Sequence, residues 1–171
     1  MPTTLPVPIE FRLPEKWFPA RPEGLDSQGV AFAAVHAPTD GGFAANITID
    51  GEFPPEDVTL AELADRSVQR LRERAGSVVV ADRREAGSAE APALTQRLTF
   101  SAVVGETRHD LIQSQVYLSV VDVRDARKRA VIRLALTATA AEHDAVLGDF
   151  QDFVRSVRPD TSVRPDTGAG A

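Results

Sequence analysis

The stretch that decides the fold is LTQRLTFSAVVGETRHDLIQSQVYLSVVDVRDARKRAVIRLALTATA, residues 94–140. It holds three alternating runs. In the first, Leu94, Gln96, Leu98, Phe100, Ala102 and Val104 alternate with Thr95, Arg97, Thr99 and Ser101. In the second, Ile112, Val116, Leu118 and Val120 alternate with Gln113, Gln115, Tyr117 and Ser119. In the third, Ile132, Leu134, Leu136 and Ala138 alternate with Arg133, Ala135 and Thr137. A period of two is the mark of a strand, whose successive side chains point to opposite faces. Three such runs joined by short turns predict an antiparallel meander.

Downstream, Thr139 and Glu142 have capping-box spacing and predict a helix start. Val146, Leu147, Phe150, Phe153, Val154 and Val157 form its apolar stripe, and Pro159 ends it. Gly148, in mid-helix, predicts close packing or a bend, because glycine there costs about 1 kcal/mol relative to alanine. SVRPDT occurs at 156–161 and again at 162–167, and residues 159–171 are expected to be disordered.

Upstream, a first helix starts near Thr59, with Glu62 completing a second capping box. Leu60, Leu63, Ala64, Val68 and Leu71 form its stripe, and Gly76 stands where a C-terminal cap belongs. SVVVADR (77–83) predicts a strand and REAGSAEAP (84–92) a loop. GVAFAAVH (29–36) and GFAANITID (42–50) flank the turn cluster PTDGG (38–42) and predict a hairpin. Ile9, Phe11 and Leu13 predict a short first strand. Pro14 and Pro19 bracket Trp17 and Phe18, which reads as a turn or an edge. Residues 1–8, with three prolines, are expected to be a loose arm. The sum is one α+β domain over residues 9–158: an antiparallel sheet of six to seven strands with two main helices packed on its apolar side.

Composition narrows the chemistry. The 171 residues contain no cysteine, which removes disulfides, thiolate metal sites and thiol nucleophiles. Formal net charge is −6, and the 17 arginines are scattered, so a nucleic-acid backbone is not the expected partner. No apolar run approaches the roughly 20 residues that span a bilayer, and no leader pattern opens the sequence. The expectation is a cytoplasmic protein without membrane insertion.

The order of strands and helices, with a few residues, resembles the PsbP-like superfamily. The residues are Phe11, Leu13, Pro14 and Trp17, GFAANITI in the third strand, and Gln113, Gln115 and Tyr117 in LIQSQVYL. LTATA at 136–140 and the closing DFQDFVRSVRP add to them. The superfamily includes the photosystem II protein PsbP, the Ran-binding Mog protein, LpqN-type lipoproteins and the Eag effector chaperones. The resemblance implies an antiparallel sheet with packed helices and no activity. It implies roles as adaptors, chaperones and assembly factors, with no shared catalytic residues and no cofactor.

The residues themselves carry no catalytic motif: there is no GxSxG, P-loop or GxGxxG. His36, His109 and His143 are not at metal-ligand spacing. His143 adjoins Asp144, but neighbours on a helix diverge, so surface or turn histidines are expected. RDARKR (124–129) reads as a solvated turn. The candidate site is a sheet face, polar but nearly uncharged. Arg97, Thr99, Gln113, Gln115, Tyr117 and Arg133 are expected to face solvent together, opposite both helices, and to receive another protein. Two alternatives stand beside it: a ligand-binding protein or hydrolase built around a histidine, and self-assembly through strand edges.

Overall fold

The computed structural model describes residues 9–20, 30–36, 43–89, 91–104, 106–121 and 129–159. In chain order the elements are β1 (Ile9–Glu10), β2 (Trp17–Ala20), β3 (Phe32–His36), β4 (Asn46–Glu52) and α1 (Leu60–Ala75). Then follow β5 (Val78–Gly87), β6 (Pro92–Val104), β7 (Thr107–Val121), β8 (Arg129–Thr139), α2 (His143–Ser156) and β9 (Arg158–Pro159). Seven strands form one sheet in the order β2-β3-β4-β8-β7-β6-β5. Every pairing in it is antiparallel. β1 and β9 form a separate two-stranded ribbon that ties the start of the domain to its end.

The meander and both helices stand where the periodicities put them. α1 begins at its expected cap: the Thr59 hydroxyl accepts from the Glu62 N–H at 3.1 Å. It ends at Gly76, at φ +83°, whose N–H donates to Arg72 O at 2.9 Å. α2 starts later than its capping box implies. Thr139 still belongs to β8, and its hydroxyl accepts from the Glu142 N–H across a turn; the helix begins at His143. Gly148 is exposed, and a Cβ there would meet nothing within 4 Å, so neither close packing nor crowding explains it.

Strand boundaries also move. The strand expected over residues 9–13 is only Ile9–Glu10. Phe11 instead packs its ring against Phe32 and Phe153, with centroids 4.9 and 5.2 Å away. β5 runs on to Gly87, which shortens the expected loop to a turn closed by Ser88 N–H donating to Ala91 O. Pro19 does lie on an edge strand, β2. The arm (1–8), the PTDGG turn, all but Arg129 of the RDARKR cluster and tail residues 160–171 lie outside the described residues.

The larger correction concerns the layers. The helices do not share one side of the sheet. α2 packs Val146, Phe150 and Phe153 against Ile47, Ile132, Leu134 and Leu136. α1 packs Leu60, Leu63 and Ala64 against Leu94, Tyr117 and Val131, and Val68 against Val78 and Leu98. Val131 and Ile132 are neighbours on one strand and so face opposite ways. Each face of the sheet therefore carries a different helix.

Candidate functional site

Register decides where the six candidate residues fall. β6 and β7 pair Leu94 with Tyr117, Gln96 with Gln115 and Leu98 with Gln113. Directly paired residues share a face. The apolar side of β6 therefore continues the polar side of β7, and α1 covers both. β8 adds Arg133 beside Tyr117 and Thr137 beside Gln113 on that same face. Arg97 and Thr99 lie on the other face, opposite Ser114 and Ile112. The expected six-residue surface is thus split. Gln115 and Tyr117 lie buried under α1, 1% and 3% exposed, with Gln113 and Arg133 half-buried beside them.

Under the helix these side chains form a continuous hydrogen-bonded seam. Arg83 donates from Nη1 to Asp65 Oδ1 (2.7 Å) and from Nε and Nη2 to Gln96 Oε1. Gln96 Nε2 donates to Gln115 Oε1 (2.6 Å) and to Ala64 O in the helix (3.3 Å). Gln115 Nε2 donates to Ser67 Oγ and Gln113 Oε1, and Gln113 Nε2 donates to Thr137 Oγ1. The Tyr117 hydroxyl donates to Gln115 Oε1 at 3.0 Å. Arg133 closes the far end, donating from Nη1 to Ser67 Oγ (2.7 Å) and from Nη2 to Asp50 Oδ2. Arg133 Nε has no hydrogen-bond partner among the described residues. Burial pushes the Asp50 carboxyl above its ordinary range, against the pull of the Arg133 guanidinium. It raises the Tyr117 phenol as well. A buried amide that finds its partners is tolerated in a core, so the seam fixes the seat of α1 and offers no surface to a partner.

The histidines separate in the same way. His36 lies against the Trp17 ring (5.0 Å) and His109 against Phe43 (5.8 Å). His143 is fully buried, contrary to the surface position expected of it. Its Nε2 lies 2.8 Å from Ser114 Oγ and its Nδ1 3.4 Å from Asp144 Oδ1. Burial lowers its pKa, and the nearby positive charge of Arg97 adds to that, while Asp144 opposes it. A serine, a histidine and an aspartate in line have the membership of a nucleophilic triad, but Asp144 is 92% exposed and too long in its contact to orient the ring. Two open clefts lie elsewhere, along α1. One, of about 370 Å³, is lined by Asp65, Val68, Gln69, Arg72, Val80 and Arg83. The other, of about 560 Å³, lies between the start of α1 and the β5–β6 turn. No group of three or more potential metal ligands occurs among the described residues, and no described helix is long and apolar enough to cross a membrane.

What faces outward is the side of β5 and β6 opposite α1. α2 covers β4, β8 and part of β7 there. On that side β6 presents Thr95, Arg97, Thr99, Ser101 and Val103, and β5 presents Val79, Asp82 and Arg84. Val79 is 57% and Val103 63% exposed. Sequence reading found Arg97 and Thr99 of this surface and missed the valines, whose strand-like runs read equally well as core.

The architecture is that of known proteins. The chain is similar to LpqN of Mycobacterium tuberculosis, described as involved in cell envelope biogenesis, with a TM-score of 0.60 at 14% identity over 87% of this chain and 81% of that one. It is similar to the PsbP of the cyanobacterium Synechocystis, with a TM-score of 0.59 at 16% identity over 89% and 86%. It is similar to the Ran-binding protein Mog1p of Saccharomyces cerevisiae, with a TM-score of 0.58 at 15% identity over 90% and 92%. No family model and no curated protein matches the sequence. The fold is therefore PsbP-like, as the sequence resemblance implied, and at these identities the likeness is one of fold.

Proposed function

We propose that this chain is a non-enzymatic protein-binding module, an adaptor or chaperone, that receives its partner on the outward side of β5 and β6. The observation that carries the reading is that side itself. Val79 and Val103 stand exposed among the hydroxyls of Thr95, Thr99 and Ser101 and the guanidinium of Arg97. Exposed apolar groups among hydroxyls, flanked by charges of both signs on Arg97, Arg84 and Asp82, suit a protein surface better than a phosphate backbone or a small apolar ligand. The shared fold of a Ran-binding protein and of an envelope-biogenesis protein supports a protein partner by analogy. A secretion substrate is one client that such a chaperone would carry. A hydrolase built on Ser114 and His143 is the weaker reading, because both groups are buried and neither cleft along α1 includes them.

The test is affinity capture from the native cytosol with the tagged chain and two variants, Val79→Asp and Arg97→Glu. The wild type should enrich a specific protein, and each variant should lose it while keeping its circular dichroism spectrum. Capture unchanged by both substitutions would overturn this docking side.

A further inference from the structure

The two edges of the sheet are built differently. β2 is four residues long and carries Pro19. Proline cannot donate to a further ladder, and so short a strand is a poor template. β5 has ten residues and no proline, and among the described residues it pairs with β6 alone. Val79 and Val80 lie exposed along it. One irregularity interrupts it: the register shifts between Val80 and Asp82, so Ala81 is a bulge. Beyond the bulge, Asp82–Ala86 pair without a break. Arg83 and Glu85 share the α1 side with Gln96 and Leu94; Asp82, Arg84 and Ala86 share the other side with Arg97, Thr95 and Ala93.

We propose that β5 is a self-association edge, and that two copies of the chain pair antiparallel through Asp82–Ala86 about a two-fold axis at Arg84. Two conditions select this register. A two-fold axis perpendicular to a continuous sheet matches residues that lie on the same face, so partners must be an even number apart in the chain. The bulge confines regular pairing to the segment centred on Arg84. Arg83 then stands opposite Glu85 of the partner subunit, and Glu85 opposite the partner's Arg83, which makes two ion pairs on the α1 side. Arg83 already serves Asp65 and Gln96, but a guanidinium has five N–H donors and can serve a second carboxylate. On the other side each Arg84 keeps its own Asp82 at 3.2 Å, which offsets the approach of the two Arg84 side chains at the axis. Centring on Arg83 instead sets Arg83 against itself and runs each ladder into the other copy's bulge. Arg83 and Glu85 carry opposite charges two residues apart, so pairing about Arg84 sets each against the other. Charges on an edge ordinarily repel a foreign strand. Here their order also makes the edge complementary to its own copy.

The chain has no cysteine, so one introduced thiol is unambiguous. Arg84→Cys places it on the axis, where facing Cβ atoms lie roughly 4.5–5.5 Å apart. Val79→Cys places it at another exposed point of the same strand, off the paired segment. Purified wild type should shift from one chain to two in sedimentation velocity as concentration rises. Arg84→Cys should cross-link under mild oxidation about tenfold faster than Val79→Cys. Glu85→Lys, which sets a lysine against the partner's Arg83, should raise the dissociation constant by about tenfold with an unchanged circular dichroism spectrum. A wild type that stays monomeric at every concentration overturns the proposal. So does a dimer in which Val79→Cys cross-links as fast as Arg84→Cys, or one indifferent to Glu85→Lys. These measurements use the purified chain alone, so their outcome is separate from that of the capture experiment.

Discussion

His143 is a buried group whose chemistry departs from its ordinary behaviour. It opens α2, is fully buried, and meets Ser114 Oγ at 2.8 Å. Its folded pKa lies below the ordinary imidazole value because a charged ring would lose its hydration there. The unfolded chain therefore binds this proton more readily than the folded one. Stability is intact above the ordinary value near 6.5 and falls as the pH drops below it. Melting temperature should decline from neutral pH toward pH 5 more steeply in the wild type than in His143→Gln, which keeps a polar partner for Ser114. Parallel curves would show that the imidazole does not titrate in this window. Two glycines act through the backbone instead. Gly87 has φ +76°, and a Cβ there would sit 2.3 Å from Ala91 O, so Gly87→Ala should be strongly destabilising. Gly148 has neither constraint, and Gly148→Ala should raise stability by about 1 kcal/mol in urea melts.

At the scale of elements, α1 rests on a seam of polar side chains with apolar clusters on either flank. Gln115 is its hub: it accepts from Gln96 and Tyr117 and donates to Ser67 and Gln113. Gln115→Ala leaves those groups buried without their partner and should cost about 1–3 kcal/mol in chemical denaturation. A loss well below that range would mean that water replaces the amide. This seam was only half legible in the sequence. The strands of the meander, the Thr59 and Gly76 caps and both helix stripes follow from period and capping chemistry, though β7 begins at Thr107, before the Leu111 that alternation suggests. Alternation also shows that Leu98 and Thr99 point apart. It does not show which side of β6 continues which side of β7. Matching apolar to apolar is sound for a sheet with one wet face; here each face carries a helix, and Leu98 pairs with Gln113. The end of β5 was illegible for another reason. Beyond Val78 this edge strand is covered only by Arg83's contacts to α1 and so needs no apolar member there, and Asp82-Arg83-Arg84-Glu85 carries no period to read.

At the scale of the whole molecule, one sheet serves two cores of unlike chemistry. On the α2 side Phe150, Phe153, Ile47, Ile132, Leu134 and Leu136 are at most 2% exposed, and the aromatic rings of Phe11 and Trp17 extend the same cluster. Opening that side exposes a dry, continuous apolar surface. On the α1 side the apolar contacts fall into two smaller clusters, one around Leu63 and Tyr117, the other around Val68 and Leu98. Lifting α1 exposes less apolar surface, and it returns Gln96, Gln115, Ser67 and Arg133 to water, where hydration compensates their broken bonds. The free energy of local opening should therefore be lower for α1 than for α2 and β8. Native-state hydrogen exchange checks this residue by residue. The α1 amides should exchange first, with a weak dependence on denaturant, while those of α2 and β8 persist toward the global limit. Phe153→Ala should lower protection throughout the sheet, at a cost of about 3–5 kcal/mol, whereas Leu63→Ala should act mainly on α1. Exchange of both helices in one step, with one denaturant dependence, would mean that the seam couples the two cores instead of separating them.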